Sequence, residues 1–268
     1  MGNQRPRLGV LGWPITHSRS PTIQNAALRA AGLTGWRYQL LPVPPELFAE
    51  TVTALAAAGF YGVNVTIPHK QAALALADRV SERAGGIGAA NTLTFAPAGA
   101  IHAENTDAPA LTQALPFSVA GRTALVLGAG GSARAAVWAL RDAGAREVRV
   151  WNRTPERARR LCAELGGTPV ESAEPADVLV HCTPAGMGAA DMPFAQLPLA
   201  ADDLAGYECV VDFVYADAAT PLVQAAQARG VAVVEGLELL VGQGALSFEL
   251  FTGLAAPVKE MRAAVGLS

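Results

Sequence analysis

The stretch Thr123-Ala124-Leu125-Val126-Leu127-Gly128-Ala129-Gly130-Gly131-Ser132-Ala133 joins a short, largely apolar run to a glycine-rich turn, and an alanine-rich helical pattern follows as far as Leu140. Where a strand passes through glycines into a helix, the backbone N–H groups at the helix start can bind a pyrophosphate. The sequence therefore predicts a dinucleotide-binding turn at residues 128–132. A tight turn without a ligand stays open as an alternative, because a glycine pattern alone is weak evidence.

The residues after the next strand, REVRVW, indicate which dinucleotide is bound. An NAD site usually has Asp or Glu there, about 20 residues beyond the glycines, to bind the ribose 2′-hydroxyl. This chain has Asn152-Arg153-Thr154 instead, with Arg157 one turn later. Arginines bind a 2′-phosphate by charge-assisted hydrogen bonds, whereas a carboxylate repels it. The pattern favours NADP over NAD. The alternative is a solvated helix face, which we accept for Arg159 and Arg160.

The same alternation of strands and helices continues along most of the chain. Downstream, the apolar runs VLVHC, ECVVDF and VAVVE lie between helical stretches, which predicts a parallel sheet covered on both faces. A helical pattern is expected from Val234 to the end. Upstream, helices are expected to begin near Pro21, Glu46 and Pro68, between strands at 8–12, 38–43, 62–67 and 92–95. The class is α/β, and 268 residues allow about two domains, with a boundary near 109–121.

Composition excludes several classes of function. A net charge of -3 argues against a nucleic-acid partner, because phosphate binding needs an excess of Lys and Arg. Membrane-span and signal-peptide patterns are absent, so a cytoplasmic location is expected. The three cysteines, Cys162, Cys182 and Cys209, lack the spacing of a metal site, and we interpret them as buried, inert thiols. No metal is expected, and the sequence leaves a homodimer open.

Polar residues stand where strands of the first half end. Lys70 closes the segment Gly62-Val63-Asn64-Val65-Thr66-Ile67-Pro68-His69-Lys70, at the transition from an apolar strand to a helix. Open α/β proteins bind ligands at such strand ends. Ser18 and Ser20 precede another helix, where hydroxyl and N–H groups can bind a carboxylate. Ser20 followed by Pro21 also fits an ordinary helix N-cap. Asp107 likewise fits either a cap or a site residue.

Nine motifs in order resemble shikimate dehydrogenase, the NADP-dependent family of aromatic amino-acid biosynthesis. The resemblance runs from Leu8 to about Gly253, through GWPITHSRSP, GVNVTIPHK, GAANT, NTD, GAGGSARA, NRT, TPAGM, DFVY and VGQGALSF. It implies an N-terminal α/β substrate domain (1–107) completed by C-terminal helices (237–268). A Rossmann-type NADP-binding domain (108–236) would face it across a cleft.

The resemblance also implies a reaction and a role for individual residues. The enzyme would reversibly reduce 3-dehydroshikimate to shikimate with NADPH, with Lys70 as proton donor and acceptor, paired with Asp107. The substrate would be bound by Ser18, Ser20, Thr66, Asn91, Asp107, Tyr215 and Gln243. The cofactor would be bound by Gly128, Ala129, Gly130, Gly131, Ser132, Asn152, Arg153, Thr154, Arg157, Thr183, Phe213, Gly236 and Glu82. For Glu82 a solvated helix position is the alternative.

Some positions depart from the family pattern, and these leave the substrate open. Gln24, Ala108, Leu239 and Gly242 replace residues common in the family, and His181-Cys182 precede TPAGM where Asn and a small residue are usual. Quinate/shikimate or aminoshikimate dehydrogenase is therefore an alternative, as is a non-catalytic sensor of NADP or shikimate. For His17 and His69 we expect a structural or peripheral role rather than metal binding.

Overall fold

The computed structural model describes residues 6–97, 99–187, 193–216 and 218–268. These residues form two compact units. The first runs up to Asp107 and includes Leu240–Ser268, and the second is Ala108–Leu239. The chain returns to the first unit at Leu240, inside a helix.

The first unit is built on a mixed sheet. Within the described residues its strands, in spatial order, are β2 (Arg37–Pro42), β1 (Arg7–Gly12), β3 (Phe60–Val65), β5 (Thr92–Phe95), β6 (Ile101–Glu104) and β4 (Arg79–Val80). The first three are parallel, whereas β5 runs antiparallel to both β3 and β6. The predicted strands are confirmed, but the short strands β4 and β6 were not anticipated.

Helices cover both faces of this sheet, and alternate residues of β1 point to opposite sides. Leu8 and Val10 pack with α1 (Ser20–Ala30), α9 (Gly236–Thr252) and α10 (Val258–Ala263), whereas Leu11 packs on the side of α2 (Phe48–Ala57). The first unit also contains α3 (Lys70–Ala75) and α4 (Glu82–Ile87). The helix α5 (Asp107–Ala114) begins in the first unit at Asp107, and its other residues belong to the second unit. The helix expected near Glu46 begins as a 3-10 turn, Pro45–Leu47, and continues as α2.

A continuous helix from Val234 to the end was expected, and this is wrong at residues 253–257. The helix α9 ends at Thr252, and Gly253 follows with φ of 70°. The helix α10 begins only after Pro257. A left-handed glycine commonly ends a helix, and proline cannot continue one, so the break follows from these two residues.

The second unit is a parallel sheet, as predicted. Its order in the described residues is β12 (Ala232–Val234), β11 (Cys209–Asp212), β10 (Val178–His181), β7 (Thr123–Leu127), β8 (Glu147–Trp151) and β9 (Thr168–Pro169). Every pairing among these strands is parallel. The connecting helices are α6 (Gly131–Asp142), α7 (Pro155–Leu165) and α8 (Pro221–Gln227). Buried leucines and valines of β7, β10 and β11 form a core with α8.

Two cysteines of this unit behave as predicted. Cys162 and Cys209 are free and buried, and burial raises the pKa of each thiol to about 11. A thiol with so high a pKa is a poor nucleophile at neutral pH. Cys182 is only partly buried.

Candidate functional site

The first unit brings a lysine and an aspartate together out of water. Lys70 is the first residue of α3 and Asp107 the first residue of α5, and they are 8% and 6% exposed. The Lys70 Nζ donates to Asp107 Oδ2 over 2.6 Å. Buried charges are tolerated when they are paired, so each group compensates the other. Because a lysine ammonium holds transferable protons, this pair can give a proton to a neighbouring oxygen and take one back.

Asn91 holds the other oxygen of the same carboxylate. Its Nδ2 donates to Asp107 Oδ1 over 2.8 Å, while its Oδ1 accepts the backbone N–H of Thr106 over 2.8 Å. The Oδ1 of Asn105 accepts the backbone N–H of Asp107 over 3.1 Å at the start of α5. The Asp107 carboxylate is therefore oriented by Lys70, Asn91 and its own helix start.

Gln243 and Thr66 lie on neighbouring elements of this unit. The Oε1 of Gln243, on α9, is 3.4 Å from Asn91 Nδ2, and its Nε2 donates to Leu240 O over 2.8 Å. Thr66 directly follows β3, and its backbone N–H donates to Leu11 O over 2.9 Å. A Cβ on Gly12 would lie 2.6 Å from the Thr66 methyl group, so this contact requires glycine.

The serine motif forms a turn at the start of α1. The Oγ of Ser18 accepts the backbone N–H of Ser20 over 3.3 Å. Ser20 is the first residue of the helix and Arg19 occupies the cap position, so the expected alternative of Ser20 as N-cap is wrong. The sequence indicated no structural role for Ser18, yet its hydroxyl supports this turn. Gln24 of the same helix donates to Gly244 O over 2.8 Å, which joins α1 to α9 next to Gln243.

His69 and Glu82 each have contacts or a position that a structural role would explain. His69 is buried, its Nε2 lies 2.7 Å from Val43 O, and its ring stacks on Phe48 with centroids 4.3 Å apart. Burial lowers the pKa of His69, which favours the neutral ring. This agrees with the structural role expected for it. Glu82 is exposed at the first position of α4, where its charge suits the helix dipole.

In the second unit, the glycine-rich turn lies between β7 and α6. The backbone N–H of Gly128 donates to Trp151 O over 2.7 Å, and its φ of 121° lies in the region that favours glycine. A Cβ on Gly130, the residue before α6, would meet no atom within 4 Å. The helix N-terminus is therefore open to a phosphate, which backbone N–H groups and the helix dipole both attract.

The arginines after β8 are exposed. Asn152 closes the turn by donating from Nδ2 to Thr154 O over 2.9 Å, and Arg157 lies in the first turn of α7. Within the described part of the chain, neither Arg153 nor Arg157 forms an ion pair, so both can bind an anion. Arg159, in contrast, pairs with Glu156 over 3.1 Å at the surface, as expected for a solvated helix face.

A histidine and an aspartate that were not assigned to the site from the sequence form a buried hydrogen-bonded pair in this unit. His181 and Asp212 end the paired strands β10 and β11, directly opposite each other, and both are almost fully buried. His181 Nδ1 lies 2.9 Å from Asp212 Oδ1, and His181 Nε2 lies 2.6 Å from Thr183 Oγ1. Their position at the carboxyl ends of parallel strands is the signal that could have identified them.

Asp212 also fixes the segment that carries Phe213 and Tyr215. Its Oδ1 accepts the backbone N–H of Val214 over 2.9 Å, and its Oδ2 accepts the Thr220 hydroxyl proton over 2.6 Å. A Cβ on Gly236 would lie 2.3 Å from Val214 O, so only glycine fits there. Thr183, Phe213 and Gly236, each predicted on the cofactor side, are therefore connected through Asp212 and its neighbours.

Comparison with known proteins identifies relatives along the whole chain. Family profiles match residues 10–93 (shikimate dehydrogenase substrate binding domain), 110–185 (shikimate / quinate 5-dehydrogenase) and 236–265 (shikimate 5'-dehydrogenase C-terminal domain). Shikimate dehydrogenase (NADP(+)) of Paracoccus denitrificans (strain Pd 1222) is 44% identical over 92% of this chain and 91% of that protein. The chain belongs to the shikimate dehydrogenase family. The family predicted from the nine motifs is confirmed.

Solved structures support the same assignment. Shikimate 5-dehydrogenase of Thermus thermophilus, in complex with NADP(H) and shikimate, is 40% identical with a TM-score of 0.86, over 97% of this chain and 98% of that one. Shikimate dehydrogenase of Aquifex aeolicus is 32% identical with a TM-score of 0.90, over 99% of each chain. The predicted α/β fold with a Rossmann-type unit is confirmed.

Among the described residues, no helix is both long and apolar enough to cross a membrane. In that same part of the chain, no group of three or more His, Cys, Asp or Glu side chains is placed to hold a metal ion.

Proposed function

We infer that this protein is an NADP-dependent oxidoreductase that interconverts 3-dehydroshikimate and shikimate, a step of aromatic amino-acid biosynthesis. The observation that carries the mechanism is the buried contact of 2.6 Å between Lys70 Nζ and Asp107 Oδ2. We infer the reaction from the family to which the chain belongs. We infer from this pair that Lys70 provides the proton that the reaction needs.

Lys70 would act on the 3-keto oxygen of the substrate. When bound, the nicotinamide supplies a hydride to the carbonyl carbon. The carbonyl oxygen then carries the negative charge, and Lys70 donates a proton to it, which gives the 3-hydroxyl group. In the reverse direction, neutral Lys70 takes the hydroxyl proton as the hydride leaves. Asp107 holds the ammonium in place, and acid–base catalysis of this kind typically contributes about 10²–10⁴-fold.

We propose that the other side chains of the first unit orient the substrate. The hydroxyls of Ser18 and Ser20, at the start of α1, would bind its carboxylate, with Tyr215 of the second unit. Thr66, Asn91, Asp107 and Gln243 would bind its ring hydroxyls. Asn91 supports this role by its position, because its amide already contacts Asp107 and lies 3.4 Å from Gln243 Oε1. Holding the ketone in one orientation raises the rate by the proximity effect.

The second unit fits NADP. The open helix start after Gly130 would bind the pyrophosphate, together with the backbone of residues 128–132. Exposed Arg153 and Arg157, with Asn152 and Thr154, would bind the 2′-phosphate. Thr183, Phe213 and Gly236 would contact the nicotinamide half, and we keep Glu82 as a contact from the first unit. We propose 1–107 with 237–268 as the substrate domain and 108–236 as the NADP-binding domain.

Steady-state kinetics with purified protein test this function. We expect oxidation of shikimate with NADP, and a much lower kcat/KM with NAD or with quinate. Faster turnover of quinate than of shikimate would favour the alternative of a quinate/shikimate dehydrogenase. Binding of NADP and shikimate without turnover would instead favour the sensor.

We also propose a cytoplasmic location, since the pathway's dinucleotide and substrate are small soluble metabolites. A homodimer is a separate proposal. Sedimentation velocity at several protein concentrations distinguishes it from a monomer.

A further inference from the structure

A series of buried polar side chains leads to Asp107 from Tyr38, a residue of β2. The Tyr38 hydroxyl lies 2.8 Å from Asn64 Oδ1, and Asn64 Nδ2 lies 3.0 Å from Thr92 Oγ1. Thr92 Oγ1 lies 3.1 Å from Asn91 Oδ1, and Asn91 Nδ2 lies 2.8 Å from Asp107 Oδ1. Each of these five residues belongs to the first unit.

The Asp107 end of this series determines how the Asn91 amide is oriented. A carboxylate only accepts, so Asn91 must present its NH₂ group to Asp107. The opposite side of the Asn91 amide faces the backbone N–H of Thr106 at 2.8 Å, which confirms that Oδ1 lies there. The Thr92 hydroxyl lies 3.1 Å from both Asn91 Oδ1 and Ser247 Oγ, and the series is continuous when its proton points to Asn91 Oδ1.

The backbone of Asn91 orients the Asn64 amide, because Asn64 Nδ2 lies 3.3 Å from Asn91 O, which can only accept. With its own proton directed at Asn91, the Thr92 oxygen accepts from Asn64 Nδ2. The Asn64 carbonyl oxygen therefore points to Tyr38, whose hydroxyl donates to it. Asn64 Nδ2 also donates to Ser247 Oγ over 2.8 Å, and Ser247 donates to Gln243 O over 2.8 Å, so α9 is tied to the series.

The side chains of this series are too deeply buried for water to replace a hydrogen bond that a mutation removes. Tyr38, Asn64, Asn91 and Thr92 are each at most 5% exposed. In such surroundings an unmade hydrogen bond leaves a buried polar group without a partner, and an Asn amide can rotate to find another one. Without the Tyr38 hydroxyl, the buried Asn64 Oδ1 loses the donor that contacts it at 2.8 Å, and the Asn64 amide can shift to find another one.

We propose that Tyr38 is a positioning residue for proton transfer, which acts through Asn64, Thr92 and Asn91 to orient the Asp107 carboxylate beside Lys70. This inference rests on the proposed function, because it assigns a role in the same reaction. The Tyr38 ring packs in the apolar core of the first unit, whereas its hydroxyl reaches Asn64.

The test is a double-mutant cycle on kcat at saturating shikimate and NADP. We expect Tyr38→Phe to lower kcat roughly 3- to 30-fold, the size of one buried hydrogen bond. The KM for NADP should not change, because the residues of this series are not among those proposed to bind the cofactor. In an Asn91→Ala background the series no longer reaches Asp107, so Tyr38→Phe should change kcat by less than about 2-fold.

Two further variants and a folding control make the result decisive. Tyr207→Phe removes a buried tyrosine hydroxyl from the second unit and should leave kcat at the wild-type value. Thr92→Val interrupts the series at its middle and should show the same non-additivity with Asn91→Ala, which keeps the test available if Tyr38→Phe does not fold. Circular dichroism and thermal unfolding of each variant establish that the assayed protein is folded.

Different measurements would overturn the role of Tyr38 and the proposed function. Wild-type kcat in Tyr38→Phe, or a loss that adds fully to that of Asn91→Ala, would overturn the role of Tyr38 while shikimate oxidation by the wild type still stands. Inactive wild-type protein would overturn the proposed function itself.

Discussion

Lys70 and Asp107 are far apart in sequence and form one buried ion pair. Each charge alone would be costly to bury, and the pair is stable because the ammonium and carboxylate are in contact. Lys70 could be singled out from sequence because it interrupts an apolar strand pattern at a helix start. Its contact with Asp107 depends on how β3, β5 and α5 meet, which no local pattern specifies. Only the family resemblance predicted that partner.

Arg153 is the residue on which the choice of cofactor depends most directly. Its guanidinium is exposed after β8, and we expect it to bind the 2′-phosphate that NADP has and NAD lacks. Arg153→Ala should raise the KM for NADP about 10-fold or more, since hydrogen bonds to charged groups contribute about 1.5–3 kcal/mol, and change the KM for NAD little. Initial-rate kinetics with both cofactors provide the measurement, with Arg160→Ala as the matched control. Equal effects on the two cofactors would contradict this role.

At the scale of elements, the contact between β3 and α9 determines where Gln243 and Ser247 lie. A Cβ on Gly62 would lie 2.5 Å from the Phe251 ring and 2.6 Å from Leu93 O, so the helix can approach this strand only over a glycine. Strand β3 also leads to Thr66 and Lys70, and α9 carries Gln243. Close packing of β3 and α9 therefore helps to position Thr66, Lys70 and Gln243, which we propose to contact the substrate.

Gly62→Ala should accordingly destabilise the protein. We expect the free energy of unfolding to fall by about 1–3 kcal/mol, as for other overpacked cores, because either Phe251 or the strand must move. Thermal and urea unfolding measure the change. Gly35→Ala is the control, since a Cβ there meets no atom within 4 Å. An equally small effect of both substitutions would rule out the close contact.

The elements that the sequence predicted are those with strong local patterns, such as β7 with its glycine turn and the apolar strands β10 and β11. The short strands β4 (Arg79–Val80) and β6 (Ile101–Glu104) were missed because pairing defines them rather than their own pattern: β6 pairs with β5, and β4 pairs with β6. Similarly, Tyr38 and Ser247 look like ordinary core and helix residues in sequence. Their role depends on contacts with Asn64, which only the folded chain reveals.

At the scale of the whole molecule, the two units have separate sheets and separate cores. Residues 108–239 form one continuous segment with a complete parallel sheet, and so they have what a domain needs to fold alone. The proposed reaction needs both units, because all residues proposed to bind NADP except Glu82 belong to the second unit, whereas Lys70 and Asp107 belong to the first.

The isolated segment 108–239 should therefore fold and bind NADP. We expect cooperative thermal unfolding and a Kd for NADP within about 10-fold of that of the full chain, which allows about 1.4 kcal/mol for lost contacts. Isothermal titration calorimetry measures the affinity, and the same fragment with Arg153→Ala should bind more weakly. A fragment that is unfolded, or that binds no NADP, would show that the second unit is not an independent cofactor domain.

The proposed reaction depends above all on proton transfer by Lys70 during shikimate oxidation. The decisive measurement compares wild type with Lys70→Ala in kcat for shikimate and NADP, together with the Kd for shikimate by calorimetry. We expect Lys70→Ala to fold, to bind shikimate with a Kd close to that of the wild type, and to lose about 10²–10⁴-fold in kcat. A Lys70→Ala protein that oxidises shikimate at the wild-type rate would contradict this role.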